Sequence, residues 1–173
     1  QTGVPSEVIV AIIGVETYYG RITGSYRVID ALATLAFDYP RRSRFFTKEL
    51  EVFLELAYGS GLPLTELKGS YAGAMGLGQF MPSSYRAYAK DFEGDGIIDI
   101  WTNPSDAIMS VANYFVAHGW KPGAEVITPA RFSGDSALFD NGLKPKMTFK
   151  TLAEKGLIAT ANASSEELAT PIK

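Results

Sequence analysis

Cysteine is absent from all 173 residues, which excludes disulfides and thiolate metal sites. Histidine occurs once, as His118, so no imidazole pair exists for a zinc-type site, and a capping or packing role at a helix end is expected of it. No apolar run approaches the ~20 residues of a membrane span. A secretory leader is not expected either, since Gln1-Thr2-Gly3 opens directly into a helix. Excess positive charge is lacking: the formal net charge is -3, which argues against nucleic acid as a partner. The local cluster Arg41, Arg42 and Arg44 reads as a solvated helix start, with an anion contact as the alternative. No internal repeat is visible. What remains is 46% hydrophobic and 20% charged, the composition of a globular chain. Its length suits one domain, or one domain with a small appendage.

Residues 4–118 read as mostly helical. Pro5 suits a first helical turn, with Glu7 near its positive end; that helix is expected to reach Tyr19 and stop at Gly20. Further helices are expected over about Val28–Phe37, Arg42–Tyr58 and Pro82–Lys90. In the second of these, Phe45, Phe46, Leu50, Phe53, Leu54 and Ala57 recur at helical spacing. Asn103-Pro104 is an N-cap and first turn for a helix reaching Ala117, with Ile108, Val111, Ala112 and Phe115 toward the core. After Trp120 the helical period fades. Glu125–Thr128 and Met147–Phe149 read as short strands, Thr151–Lys155 as a short helix, and 159–170 as a loose polar segment. A boundary falls near residue 120.

Three constellations carry chemistry. Glu16 ends the apolar run Val8–Val15, which as a helix apolar nearly all round is expected to be buried. Burial disfavours the charged carboxylate, and a carboxylic acid kept protonated is what acid catalysis on a glycosidic bond needs. The plain alternative is a core glutamate paired with an arginine or capped by amides. The second is the stretch Lys68–Tyr85, where Gly69, Gly73, Gly76 and Gly78 permit close backbone approach. Ser70, Gln79, Tyr71, Phe80 and Tyr85 offer a hydroxyl, an amide and rings suited to a sugar; a packing loop between helices fits equally well. The third is Asp91-Phe92-Glu93-Gly94-Asp95-Gly96-Ile97-Ile98-Asp99. It matches the start of an EF-hand loop, with oxygen ligands at alternate positions and glycine sixth. Ile97 offers only its backbone carbonyl. The twelfth position is Thr102 rather than glutamate, and Asp106 is the expected replacement. An acidic turn held by local Asx hydrogen bonds is the alternative.

Together, Glu16 within Ile13–Gly20 and the run Gly76–Ser84, in order with Asp30–Leu35, Tyr39-Pro40-Arg41-Arg42 and Ser110–Phe115, resemble the lytic transglycosylases of the membrane-bound B type. The resemblance runs from about Gly3 to at least Thr151. It implies a predominantly α (α+β overall), lysozyme-like fold: a helical catalytic core over 1–120 carrying an EF-hand-like loop at 91–106, then a small mixed α/β module over 121–173, expected to be incomplete. Glu16 aligns with the single catalytic acid and base. Ser70, Gln79 and Tyr114 align with residues lining glycan subsites, and Met75, Gly76 and Phe80 with the same cleft-forming loop. Asp91, Glu93, Asp95, Ile97 and Asp106 make the cation site, with structural calcium expected and sodium as the substitute.

The implied reaction cleaves peptidoglycan between N-acetylmuramic acid and N-acetylglucosamine without water, leaving a 1,6-anhydro end. One carboxylate suffices if the sugar's acetamido group assists, although Asp30, Asp38 and Glu49 stay open as a second carboxylate. The competing readings are a lysozyme-type hydrolase, a non-catalytic calcium-stabilised glycan-binding module and, less well supported by a single loop, a calcium sensor. Expected partners are peptidoglycan strands, with membrane contact only through a lipid anchor outside the chain; a monomer is expected. The family and the substrate imply a periplasmic location, in association with the outer membrane. Members of the family normally extend beyond both ends of this sequence, so a fragment with an incomplete cleft is expected.

Overall fold

A computed structural model describes residues 2–60, 62–142, 144–160 and 167–171. The chain forms two compact units, Gln1–Pro122 and Gly123–Lys173.

The first unit is built on helices. Helix α1 spans Ser6–Thr17, with Pro5 as its extended N-cap rather than within its first turn. A two-residue strand, β1 (Tyr26–Arg27), leads into α2 (Val28–Asp38). The longest helix, α3, spans Ser43–Ser60. Strand β2 (Lys68–Gly69) pairs antiparallel with β1, Tyr26 opposite Gly69 and Arg27 opposite Lys68. Helix α4 (Pro82–Tyr88) and helix α5 (Pro104–Ala117) follow. The Asn103 side chain caps α5 by accepting from Ser105 N at 2.9 Å, satisfying one orphan amide of the first turn.

The core runs through all five helices: Ile9 and Ile13 from α1, Val28, Leu32 and Ala36 from α2, Phe46 and Phe53 from α3, Tyr85 from α4, Val111 and Ala112 from α5. Met75, Phe80 and Ile100 join it from the connecting loops. Phe53, Leu32, Met75 and Ile100 are fully enclosed, each contributing about 2 kcal/mol by removal from water. The helical period expected for α3 and α5 is partly redistributed, since Phe45, Leu54 and Ile108 are exposed. In α5 the small residues Ala107 and Ser110 take the inward positions instead.

Glu49 on α3 is the least exposed glutamate of the described residues, at 4%. Its carboxylate accepts from Ser83 N at 2.9 Å and Ser83 Oγ at 2.7 Å. An acid from one helix thereby caps the start of another, α4, where amides point outward and the helix dipole favours negative charge. Glu49→Ala should lower the unfolding free energy by about 2–3 kcal/mol, because two half-buried donors lose a charged acceptor. Thermal melting, with a fall of about 10 °C expected, checks it.

The second unit contains β3 (Ala130–Phe132), a 3-10 turn (Ser136–Asn141), β4 (Met147–Thr148), α6 (Phe149–Glu154), β5 (Leu157–Ala159) and β6 (Leu168–Ala169). Strands β3 and β5 pair antiparallel, as do β4 and β6. The strand expected at Glu125–Thr128 is irregular backbone; the strand starts instead at Ala130. Phe149 belongs to α6 rather than to a strand, because Thr148 accepts from Thr151 N and caps the helix there. Of the polar segment expected at 159–170, residues 161–166 lie outside the described residues. No described helix is long and apolar enough to cross a membrane.

Candidate active site and cation loop

Glu16 is exposed, which corrects the expectation of a protein-buried acid. The reason lies in the geometry of α1. Only the stripe Ile9, Ile13 and Thr17 is buried, the i, i+4, i+8 face of a helix. Glu16 sits one residue off that stripe, and Val15 beside it is 83% exposed. The apolar run therefore does not mean burial on all sides.

Immediately beyond Glu16 the helix is closed in an unusual way. Tyr18 and Tyr19 both adopt left-handed backbone, with φ of 50° and 58°, a conformation that costs non-glycine residues roughly 1–2 kcal/mol each. Tyr18 N and Tyr19 N donate to Gly14 O and Ile13 O, closing orphan carbonyls of the last turn. The Tyr19 ring lies over Gly14, where a Cβ would meet it at 2.8 Å. Helix α1 thus ends at Thr17, two residues short of Tyr19, its expected last residue.

The Gly-rich stretch is a tight hairpin. Met75 N donates to Phe80 O at 2.8 Å, and Phe80 N to Met75 O at 2.9 Å. Leu77 N, within the hairpin, donates to Ile100 O at 2.9 Å. Gly76 has φ +68° and lies against Ile100, where a Cβ would meet the Ile100 carbonyl oxygen at 2.5 Å; only glycine satisfies both demands. Ser70 Oγ accepts from Ala72 N and Ala74 N at 3.3 and 3.1 Å. Its own proton is not committed to any described residue. Gln79, itself at φ 52°, donates through Nε2 to Gly76 O at 2.9 Å and Thr23 O at 3.2 Å. Both amide protons are thereby used, and Oε1 remains as an acceptor. The loop therefore offers one hydroxyl donor and one amide acceptor.

Met75, Gly76 and Phe80 are buried, so they shape this loop from beneath. Tyr114 is 37% exposed and makes edge contacts with Phe80 and Tyr88, at centroid distances of 5.9 and 5.2 Å. His118 stacks on Tyr114 at 4.0 Å, and its Nδ1 lies 2.7 Å from Tyr114 O. His118 takes the packing role expected at the helix end, four residues on from Tyr114, whereas Tyr88 reaches Tyr114 only through the packing of α4 against α5, which no local pattern announces. Thr17 also belongs to this arrangement. Its hydroxyl, 1% exposed, lies 2.9 Å from Leu77 O and ties the residue after Glu16 to the Gly-rich hairpin. Its place in the stripe with Ile9 and Ile13 was the available signal.

Of the three other candidate carboxylates, two are engaged. Asp30 pairs with Arg27 Nε at 2.6 Å on the surface, Asp38 is exposed at the end of α2, and Glu49 holds Ser83. A groove of about 420 Å³ lies between α1, α5 and Phe92, but none of Glu16, Ser70, Gln79 or Tyr114 lines it.

The acidic loop is closed by its own backbone. Asp91 accepts from Gly94 N at 2.6 Å and Gly96 N at 2.8 Å. The Gly96 amide chiefly, with those of Gly94 and Asp95, holds the Asp91 carboxyl below the ordinary range. Asp99 is pushed up by partial burial, but hydrogen bonds from Thr102, Trp101 and Asn103 bring its carboxyl below the ordinary range overall. Asp106, 1% exposed, accepts from Phe92 N and Asp99 N, each at 2.8 Å. It staples the two ends of the loop. Carboxylate oxygens of Asp91, Glu93 and Asp106 lie within 4.8 Å of one another. Three hard oxygen donors converging on one point fit a calcium-like cation. Asp95 turns to Ile97 N at 2.8 Å, and the Ile97 side chain is exposed. Beneath the loop, Tyr85 Oη donates to Ile98 O at 2.7 Å. Burial first, then the charges of Asp106 and Asp99, push Tyr85 up to about 12, so it stays a donor throughout the neutral range.

Residues 1–172 match the Transglycosylase SLT domain family. Membrane-bound lytic murein transglycosylase B of Escherichia coli K12 is 56% identical over 155 residues, covering 90% of this chain and 42% of that protein. The crystal structure of the soluble lytic transglycosylase SltB1 from Pseudomonas aeruginosa superposes with a TM-score of 0.92 at 52% identity, over 98% of this chain and 57% of that one. The Escherichia coli lytic transglycosylase Slt35 in complex with calcium gives 0.89 and 52%, over 97% and 53%. The chain thus spans about half the length of the relatives it matches.

Proposed function

The chain belongs to the Transglycosylase SLT domain family, and from that premise we propose that it cleaves the β-1,4 bond between N-acetylmuramic acid and N-acetylglucosamine of peptidoglycan without water. The observation that carries this reading is the bond from Thr17 to Leu77 O. It ties the end of the helix that carries Glu16 to the hairpin that carries Gln79, which supports the two acting together.

Glu16 is the one catalytic carboxyl. As an acid it gives its proton to the glycosidic oxygen while the acetamido oxygen of the muramoyl sugar attacks C1, so the leaving sugar departs with a neutral hydroxyl. As carboxylate it then takes the proton of the C6 hydroxyl, whose oxygen displaces the acetamido group from C1 and closes the 1,6-anhydro ring. Atoms balance without water, and Glu16 returns to its acid form. A glycan strand lying across Glu16 excludes water from the reacting groups. Ser70 donates to and Gln79 Oε1 accepts from sugar hydroxyl or acetamido groups; Tyr114 offers a ring face or hydroxyl beside them. Met75, Gly76 and Phe80 hold the loop in shape.

The acidic loop takes a structural cation, calcium in preference and sodium as a weaker substitute, held by Asp91, Glu93 and Asp106 with Asp95 and the Ile97 carbonyl. The substrate implies action in the periplasm, against the sacculus beneath the outer membrane, by a monomer.

Mass spectrometry of purified peptidoglycan digested with this chain tests the reading. Anhydromuramoyl ends are the expected product. Reducing ends would make the chain a lysozyme-type hydrolase, and binding without products would make it a glycan-binding module.

A further inference from the structure

We propose that Thr17 is a positioning residue that fixes Glu16 against the Gly-rich hairpin through its hydroxyl; this rests on Glu16 being the acid and base of the reading above. Thr17 is 1% exposed at the last position of α1. Its Oγ1 lies within bonding distance of three backbone groups: its single proton has Leu77 O (2.9 Å) and Ile13 O (3.1 Å) as competing acceptors, Leu77 O being the nearer, and the oxygen accepts from Gly20 N (3.1 Å). The contact with Ile13 is the ordinary back-bond of a helical threonine. The contact with Leu77 crosses 60 positions of sequence and has no such local explanation.

Leu77 is itself held from the other side, since its N–H donates to Ile100 O at 2.9 Å. Two residues on, Gln79 is locked by its amide to Gly76 O and Thr23 O. The peptide of Leu77 is therefore fixed by Ile100 at one end and by Thr17 at the other. Glu16 is one Cα step, about 3.8 Å, from Thr17.

The bond to Gly20 completes the arrangement. Tyr18 and Tyr19 are left-handed, so the chain reverses directly after Thr17, and Gly20 N brings the far side of the reversal back to the same hydroxyl. Apolar packing of Ile9 and Ile13 would hold α1 against the core without any of this, and a valine would fill the same volume. The hydroxyl adds direction: it sets where the end of α1 lies along the hairpin. Positioning errors of about 1 Å at a reacting group can cost about 100-fold in rate.

Wild type, Thr17→Val, Thr17→Ala, Thr17→Ser and, as a control, Ser43→Ala decide it. Ser43 Oγ donates to Ala36 O between α2 and α3, so its loss removes a comparable bond away from Glu16. The readouts are kcat and KM for anhydro-product release from soluble glycan strands, with amide exchange at Gly20. Thr17→Val and Thr17→Ala should lose at least about 10-fold in kcat, with KM within about twofold. Both should lose Gly20 protection. Thr17→Ser should restore kcat and protection to within about threefold, and Ser43→Ala should keep both. The inference falls if Thr17→Val keeps wild-type kcat, if Thr17→Ser is as slow as Thr17→Val, or if Gly20 protection survives removal of the hydroxyl. A wild-type chain that releases no anhydro product overturns the functional reading itself, while Gly20 exchange still reports whether Thr17 holds the turn.

Discussion

Glu16→Gln should abolish release of anhydromuramoyl products, lowering the rate by about 100- to 10,000-fold, while leaving the melting temperature nearly unchanged. The stability half of this expectation follows from exposure. Glu16 lies on the solvent side of α1, and glutamine keeps its length and helix propensity. The activity half follows from what the amide removes. A glutamine cannot give a proton to the leaving oxygen or take one from the C6 hydroxyl, so both steps of the proposed reaction lose their agent. Two of the three alternative carboxylates are already engaged. Glu49, the best-buried alternative, has both oxygens engaged by Ser83, and Asp30 is held by Arg27. Product release assayed by mass spectrometry, beside a melting curve, measures both halves. Residual cleavage above about a tenth of wild type would move the acid to another residue. A collapse in melting temperature would show instead that Glu16 is part of the fold.

The helical frame was legible because it is local. Start residues such as Pro82 and Asn103-Pro104 act on their own neighbours, and the observed ends of α2, α4 and α5 fall within about two residues of expectation. The acidic loop was legible in part for the same reason: Asp91 and Glu93 alternate over a single turn and converge with Asp106 of α5, while Asp95 turns to Ile97 N instead. The burial of Glu16 was misjudged because an apolar run specifies hydrophobicity, not which face finds a partner. Only one stripe of α1 is fully buried, with Ile12 partly covered beside it. Glu49 and Thr17 were illegible in their roles because each acts across the fold, on Ser83 34 positions away and on Leu77 60 positions away. In the small unit the strand was misplaced to Glu125–Thr128 because a two- or three-residue strand is set by its pairing partner, here Leu157–Ala159, more than by its own propensity.

Chelation should destabilise the first unit, and Asp106→Ala should do so more strongly and make the protein indifferent to calcium. A cation that binds only the folded state contributes RT ln(1 + [L]/Kd), about 2.7 kcal/mol at 100-fold excess over Kd. Its removal should lower the melting temperature by about 10 °C. Asp106 has a second role that does not depend on the ion. Its two oxygens accept from Phe92 N and Asp99 N, joining the ends of the loop at a buried point. Replacing it with alanine leaves both amides without that acceptor and leaves Asp91 and Glu93 with one fewer donor to share an ion. A loss of about 3–5 kcal/mol is expected from breaking such a buried charged contact. The consequence should extend beyond the loop, because Ile100, just past its acidic part, carries Leu77 N and backs Gly76. A loosened loop therefore loosens the hairpin that presents Ser70 and Gln79. Calorimetric melting of wild type and Asp106→Ala, each with excess calcium and with chelator, separates the two roles. Wild type should rise with calcium; the variant should melt lower and show no rise. Calcium raising both equally would place the ion elsewhere, and a variant as stable as wild type would remove Asp106 as the staple of the loop.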